Sequence, residues 1–411
     1  RPANIKNLDI KWETQEQWNI GLDLGFFNNR VNLVVDYYNK KSSDMLMQLI
    51  LPSFMGTSGN GSSALAAPYG NYGDIENKGL EIALNTRPIE TKNFSWGSDF
   101  QISFNKNKLK SLSNSTALLG YGQWTDVVAR SVVGESLYNF YGYEVEGVYT
   151  SFEDLLNSPV NTLQSNNPVT VERDENGNVT KAEWSTDPTK YNSRNTTFVG
   201  DIKYKDVNHD GVIDEKDKTN IGSPLPDFTF GWNNTFHYKQ WDLTVFINGS
   251  VGNKVGNYNK MKLTHMNSAW TNQLTDVNGR VHLTPADGVY ADGWYNNIAN
   301  VVATGNGGYP RASINDPNDN DAWSSRFIQD GSYLRLKNIS LSYTFDKKLV
   351  GKIGLENVRA TISATNLFTI TGYDGYDPEV GASTTSANVF GLDNGRYPSP
   401  TSWTFGLNVS F

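Results

Sequence analysis

The densest chemistry in this chain lies in residues 206–217, which read DVNHDGVIDEKD. Oxygen-bearing side chains stand at positions 1, 3, 5, 9 and 12 of that run: Asp206, Asn208, Asp210, Asp214 and Asp217. Val212 offers its backbone carbonyl at position 7, and Gly211 occupies the sharp turn just before it. Calcium is a hard ion that takes about six to eight oxygens, and this spacing is that of a calcium-binding loop. Two departures from the EF-hand form stand out. Asp217 sits where a bidentate Glu is usual, and residues 201–205 read as extended instead of helical. The expectation is a structural calcium ion that stiffens a loop; the alternative is a solvated acidic turn.

Little else suggests catalysis. The four histidines, His209, His237, His265 and His282, are scattered without a metal-binding pair. There is no nucleophile elbow and no phosphate-cradling glycine loop, and no carboxylate pair is set apart as a glycosidase dyad. No enzyme is expected. Aromatic side chains in polar stretches are candidates for stacking on sugar rings: Tyr121, Trp124, Trp270, Trp294, Tyr295 and Trp323. The alternative for each is an anchor of its own loop or a contact to a partner.

The elements that must carry these residues show strict two-residue alternation, the mark of strands with two different faces. Trp18, Ile20, Leu22, Leu24 and Phe26 interleave with polar residues and glycine, as do Ile339, Leu341, Tyr343 and Phe345. Strands are expected near 17–26, 30–47, 74–87, 94–108, 227–237, 241–252, 332–346, 357–370 and 403–411. Phe246 breaks the pattern of its strand. Alternation fits a soluble sandwich, with the apolar face inward, or an outer-membrane barrel, with the apolar face toward lipid.

Connections separate the two readings. Short turns near 28–29, 89–92, 238–240 and 347–356 alternate with long polar segments at 48–73, 109–226, 253–331 and 371–400. Tight periplasmic turns and long extracellular loops produce this asymmetry. The fold class expected is therefore all-β, a transmembrane antiparallel β-barrel with long extracellular loops. Nine strands are clear, or eleven if 136–149 and 199–206 join the wall. Complete bacterial barrels have an even number, so an incomplete wall is expected. The chain starts at Arg1 without a Met or a leader, as a mature or excised piece would.

Composition agrees. There is no apolar run of about 18 residues, yet a barrel strand needs only about 9–11 with every second one apolar. Mean hydropathy is −0.51, as such alternation allows. A net charge of −8 leaves nothing to neutralise phosphates, so nucleic acid is not an expected partner, whereas membrane lipid is. Zero cysteines exclude disulfides and thiol chemistry. Trp18, Tyr37, Tyr38, Trp96, Trp241, Tyr343 and Trp403 stand near strand ends as interfacial girdles would. Phe411 ends an alternating strand and reads as a barrel-assembly signal.

Five stretches carry a resemblance. They are LDIKWETQEQWNIGLDLGFFNNRVNLVVDYYNKKSSDML at 8–46, GDIKYKDVNHDGVIDEKDKTNIGSPLPDFTFGWNNTF at 200–236, RFIQDGSYLRLKNISLSYTF at 326–345, ISATNLFTITGYDGYDPEV at 362–380, and NGRYPSPTSWTFGLNVSF at 394–411. In this order they resemble the C-terminal half of the SusC/RagA-like TonB-dependent outer-membrane transporters of Bacteroidetes. The resemblance implies a barrel of about 22 strands closed by a plug. It also implies a SusD-like surface lipoprotein as lid, and TonB acting through an N-terminal part absent from this chain. The expected function is active import of oligosaccharides, or peptides, across the outer membrane. Alternatives are uptake of a metal chelate or vitamin by the same architecture, a passive porin, or a soluble carbohydrate-binding β-protein.

Overall fold

The alternating segments form one nine-stranded antiparallel sheet whose strand order is the order of the chain. Its strands are β1 (Thr14–Phe26), β2 (Val31–Gln48), β3 (Tyr69–Glu90), β4 (Phe94–Leu112), β5 (Phe228–Tyr238), β6 (Trp241–Val251), β7 (Tyr333–Thr344), β8 (Asn357–Thr371) and β9 (Ser402–Ser410). The structure is a computed structural model and describes residues 6–48, 68–112, 117–122, 126–268, 270–305, 308–381 and 388–411.

Direct cross-strand partners share a face, so the register turns single-strand alternation into rows across the wall. One row runs Leu24, Leu33, Leu84, Phe100, Trp232, Ile247, Leu336 and Phe368. On the opposite face runs Asp36, Glu81, Ser103, Thr229, Ser250 and Tyr333. Among the described residues no second layer covers the apolar face. Ile20 is 66 % exposed, Phe405 76 % and Leu407 68 %. A soluble sandwich would bury these side chains, whereas a lipid-facing wall leaves them bare in the protein. β1 and β9 each have one neighbour in the sheet. Backbone groups on such edges stay unsatisfied in hydrocarbon, so both edges call for adjoining strands.

Some expectations change. β3 starts at Tyr69, because residues 69–73 pair with residues 45–48 of β2, which shortens the segment expected at 48–73. Most of what remains of it, residues 49–67, lies outside the described residues. The weaker segments near 136–149 and 199–206 are not in the wall. Asn139–Gly142 pairs with Thr219–Gly222, and Val145–Val148 with Ile202–Tyr204. These strands are too short to span a bilayer, which takes about 9–11 residues. Tyr38 is not a girdle residue. It neighbours Tyr37 in sequence and therefore points to the polar face, where its hydroxyl lies 3.1 Å from Asn105 Oδ1. Five of the other girdle aromatics meet rings across strands: Trp18 with Tyr37 at 5.5 Å, Trp96 stacked on Phe236 at 5.8 Å, and Trp241 with Tyr343 at 4.6 Å between ring centres, while Trp403 stands opposite Ala364.

The long polar segments are not loose loops. Much of 117–226, 253–331 and 373–400 folds into a body of short sheets around three apolar clusters. One cluster holds Tyr149, Leu155, Phe198, Val212 and Ile298; a second holds Phe140, Tyr258, Trp323 and Phe327; a third holds Tyr143, Ile202, Tyr204 and Ile213.

Candidate functional site

Where this loop body meets the wall, the sequence SYLRLKN of β7 sets Tyr333 and Arg335 on the polar face. A register shift between Leu336 and Asn338 follows at once. Arg335 is 3 % exposed. Its Nε donates to Thr369 Oγ1 at 2.8 Å, Nη1 to Glu379 Oε2 at 2.7 Å and Nη2 to Asp377 Oδ1 at 2.5 Å. Lys337 Nζ reaches the same Glu379 oxygen at 3.0 Å. The other Asp377 oxygen accepts the Ser399 amide at 3.0 Å, so both ends of the 372–400 segment are tied to one arginine. Burial pushes the Asp377 carboxyl up, but the amides of Ser399 and Glu379 together with Arg335 outweigh it and hold the group below the usual range.

Above this tether lies a cavity of about 560 Å³ lined by Thr229, Ser250 and Tyr333 from the wall and by Lys337, Glu379, Arg396 and Tyr397 around its rim. Thr229 and Tyr333 also line a second cavity of about 480 Å³ farther round the polar face, with Asp36, Glu81, Gln101 and Phe246. Both volumes are in the range of small-ligand sites. Tyr397 is 87 % exposed, so it offers a ring face for stacking. The charged groups that line the cavity are Lys337 and Arg396 with Asp377 and Glu379, two cations to two carboxylates. Such a surface can hold hydroxyls, amides or an anionic group while an aromatic ring carries an apolar face. None of these residues was among the sequence candidates. Two signals were available, the break of alternation at Phe246 and the Tyr-x-Arg pattern on the polar parity of β7.

The 206–217 loop takes the turn its glycine suggests, with left-handed φ of 61° at His209 and 82° at Gly211. Its side chains fold onto its own amides. Asp206 accepts from the amides of Asp210 and Gly211 at 3.3 and 2.7 Å, Asn208 from Asp210 at 2.9 Å, and Asp210 from Val212 at 3.0 Å. Asp214 accepts from Lys216 at 2.8 Å. Asp217, fully buried, accepts from Val207 and Asp214 at 2.9 and 2.8 Å. Asp217 also takes the amide of Asn208, and Asp214 pairs with Arg173 at 3.5 Å. The carbonyls of Gly211 and Ile213 accept from Val160 and Thr162, so by strand alternation the Val212 carbonyl faces the opposite side. Burial pushes the Asp217 carboxyl up despite its amide donors. Among the described residues, the one group of three carboxylates gathered closely enough to share an ion lies elsewhere, at Asp316, Asp319 and Asp321. Asp316 is pushed up to about 8 by burial first and then by Asp321. A proton or a cation relieves that repulsion.

The aromatic candidates are not brought together as a set. Trp294 and Tyr295 are adjacent, with ring centres 6.0 Å apart, and Tyr290, which the sequence reading passed over, lies 5.7 Å from Trp294. Tyr295 is 50 % exposed and Tyr290 67 %, which makes an exposed aromatic patch. Trp270 is bare and stands apart from them, and Tyr121 is half-exposed. Trp323 is a correction. It is buried against Phe140, Tyr258 and Phe327, and its indole N–H donates to the Val128 carbonyl at 3.0 Å, so it offers no face to a sugar. Trp124 lies outside the described residues. Phe411 follows β9 and is 92 % exposed.

The chain is 32% identical to TonB-dependent receptor P3 of Formosa agariphila, over all of this chain and 35% of that protein. It is 27% identical to TonB-dependent receptor SusC of Bacteroides thetaiotaomicron, over 98% of this chain and 32% of that protein. Over its whole length the chain is similar to the SusC-like TonB-dependent receptors. Among solved structures, the RagAB peptide transporter shares the fold, with a TM-score of 0.65 at 19% identity, covering 99% of this chain and 36% of that one. No family model matches the sequence. The SusC-like chain thus spans about a third of the length of these relatives. It is an outer-membrane β-barrel segment, which sets aside the soluble carbohydrate-binding reading. Its relatives are named receptors, not enzymes, in line with the non-enzymatic reading.

Proposed function

We propose that the full receptor actively imports oligosaccharides, or peptides, across the outer membrane. TonB drives it through the part outside this chain, and a SusD-like lipoprotein closes its mouth. The observation that carries this reading is the cavity where Arg335 ties the loop body to the polar face, with Tyr397 and Arg396 at its rim. The kinship with SusC supports it. RagAB is a peptide transporter, and that keeps peptides beside glycans. Tyr121, Trp270, Trp294 and Tyr295 are secondary contacts in this reading. Uptake of a metal chelate or vitamin is the alternative, and direct binding of such ligands separates it.

The test is uptake of labelled oligosaccharides and peptides by cells with and without TonB. Loss of uptake on removing TonB, and a several-fold reduction in Tyr397→Ala or Arg396→Gln, are the expected results. Uptake that persists without TonB would point to a passive pore and overturn the reading.

Calcium in the 206–217 loop is part of the proposal, as a brace for the loop body. Added calcium is expected to raise the melting temperature of the purified receptor, and Asp210→Ala to remove that rise. An equal rise in the variant rejects the site.

A further inference from the structure

The outward face of β1–β4 changes character within one step along the strands. Its last apolar row toward the long connections is Ile20, Tyr37, Leu80 and Phe104. The next outward row is Trp18, Asn39, Lys78 and Lys106, and the one after it Glu16, Lys41, Glu76 and Lys108. Lys78 and Lys110 lie 3.0 and 3.5 Å from Glu76. The patch therefore sets five lysines against two glutamates in a chain of net charge −8. Lys41, Lys106 and Lys108 have no ion pair among the described residues. The rest of the wall differs. The strands β5–β9 stop at or below the last apolar row, with Phe228 level with Phe104 and Leu334 and Ile370 one row lower, so among the described strands of the wall only β1–β4 reach the height of the lysines.

We propose that these lysines bind the phosphate groups of an outer-leaflet glycolipid whose acyl chains lie on the apolar rows beneath. Long connections mark this end as extracellular, and the headgroup plane begins where the apolar rows stop. Lysine stems cover apolar surface while their charges rise to that plane. The face looks to lipid whatever fills the lumen. The inference rests on the outer-membrane location and not on the cargo, so it can fail while the import reading stands.

The test uses the full-length receptor, purified in detergent and delipidated, with binding read by native mass spectrometry. The probes are a bisphosphorylated lipid A, the same lipid stripped of phosphate, and inorganic phosphate. The phosphorylated lipid is expected to bind more tightly than the stripped one. Exchanging Lys41, Lys106 and Lys108 together for Gln should weaken it about a hundredfold. Higher ionic strength should weaken it in the unaltered receptor, a check that needs no variant. Equal binding of the two lipids, indifference to salt, or full affinity in a correctly assembled triple variant would overturn the proposal. Displacement of the lipid by inorganic phosphate at equal concentration would also overturn it, because the patch would then be a plain anion site. Should the triple variant fail to assemble, Lys106→Gln alone is expected to lose several-fold, and an unchanged affinity there counts against the idea.

Discussion

Removing Arg335 leaves two carboxylates facing each other at the base of the loop body. Breaking a buried pair by deleting one partner costs on the order of 3–5 kcal/mol, because the remaining charge is stranded. Arg335→Met should therefore lower the melting temperature of the receptor and expose the 372–400 segment to protease. An unchanged melting curve would mean that the tether carries no weight. Asp316 gives a pH prediction. Its pKa rises from about 3.9 in an unfolded chain to about 8 here, with burial the main cause and Asp321 next. The folded state keeps a proton that the unfolded chain releases. The stability that comes with this proton is full below about pH 4 and is lost as pH rises through about 8. With a chelator present, Asp316→Asn should remove that loss, so the melting difference between variant and parent widens across this window. A constant difference would contradict the assignment. The spacing of Asp206, Asp210 and Asp217 made their loop legible in sequence. The Asp316 cluster was not, because it depends on left-handed φ at Asp316 and Asp319 and on the fold around them. Trp323 misled for a related reason: its polar neighbours in sequence give no sign of Val128, Phe140 and Tyr258, which enclose it.

Strands were the most legible element. Period-2 alternation located all nine, and their ends moved where pairing outlasted the apolar pattern, as at Tyr69–Gly73. Parity also assigns faces, and the absence of cysteine makes that assignment simple to check. Single cysteines at 246 and 248 should react with a membrane-impermeant thiol reagent from the lumen, while those at 245 and 247 should stay protected by lipid or detergent. The reverse pattern would put the wall inside out. The short strands of the loop body could not be assigned from sequence, because runs of three or four residues carry no period, and their partners lie far along the chain. Phe411 is expected to matter for assembly: Phe411→Ala should reduce the heat-modifiable form of the receptor in the membrane. Normal assembly of that variant would remove the signal role.

At the scale of the whole molecule, two surfaces argue together. A bare apolar face demands lipid, and a polar face that meets a folded loop body demands a lumen with a built mouth. The asymmetry of short and long connections was enough to foresee this architecture, and kinship with SusC agrees. What sequence could not supply was the cavity, which forms from β5, β6, β7 and the returning 372–400 segment. The most direct test of the central claim is to isolate the native complex from detergent-solubilised outer membrane and identify its proteins and bound small molecules by mass spectrometry. Recovery with a SusD-like lipoprotein and an oligosaccharide or peptide is the predicted result. Recovery with no lipoprotein, and with a metal chelate or vitamin in place of such cargo, would contradict the account.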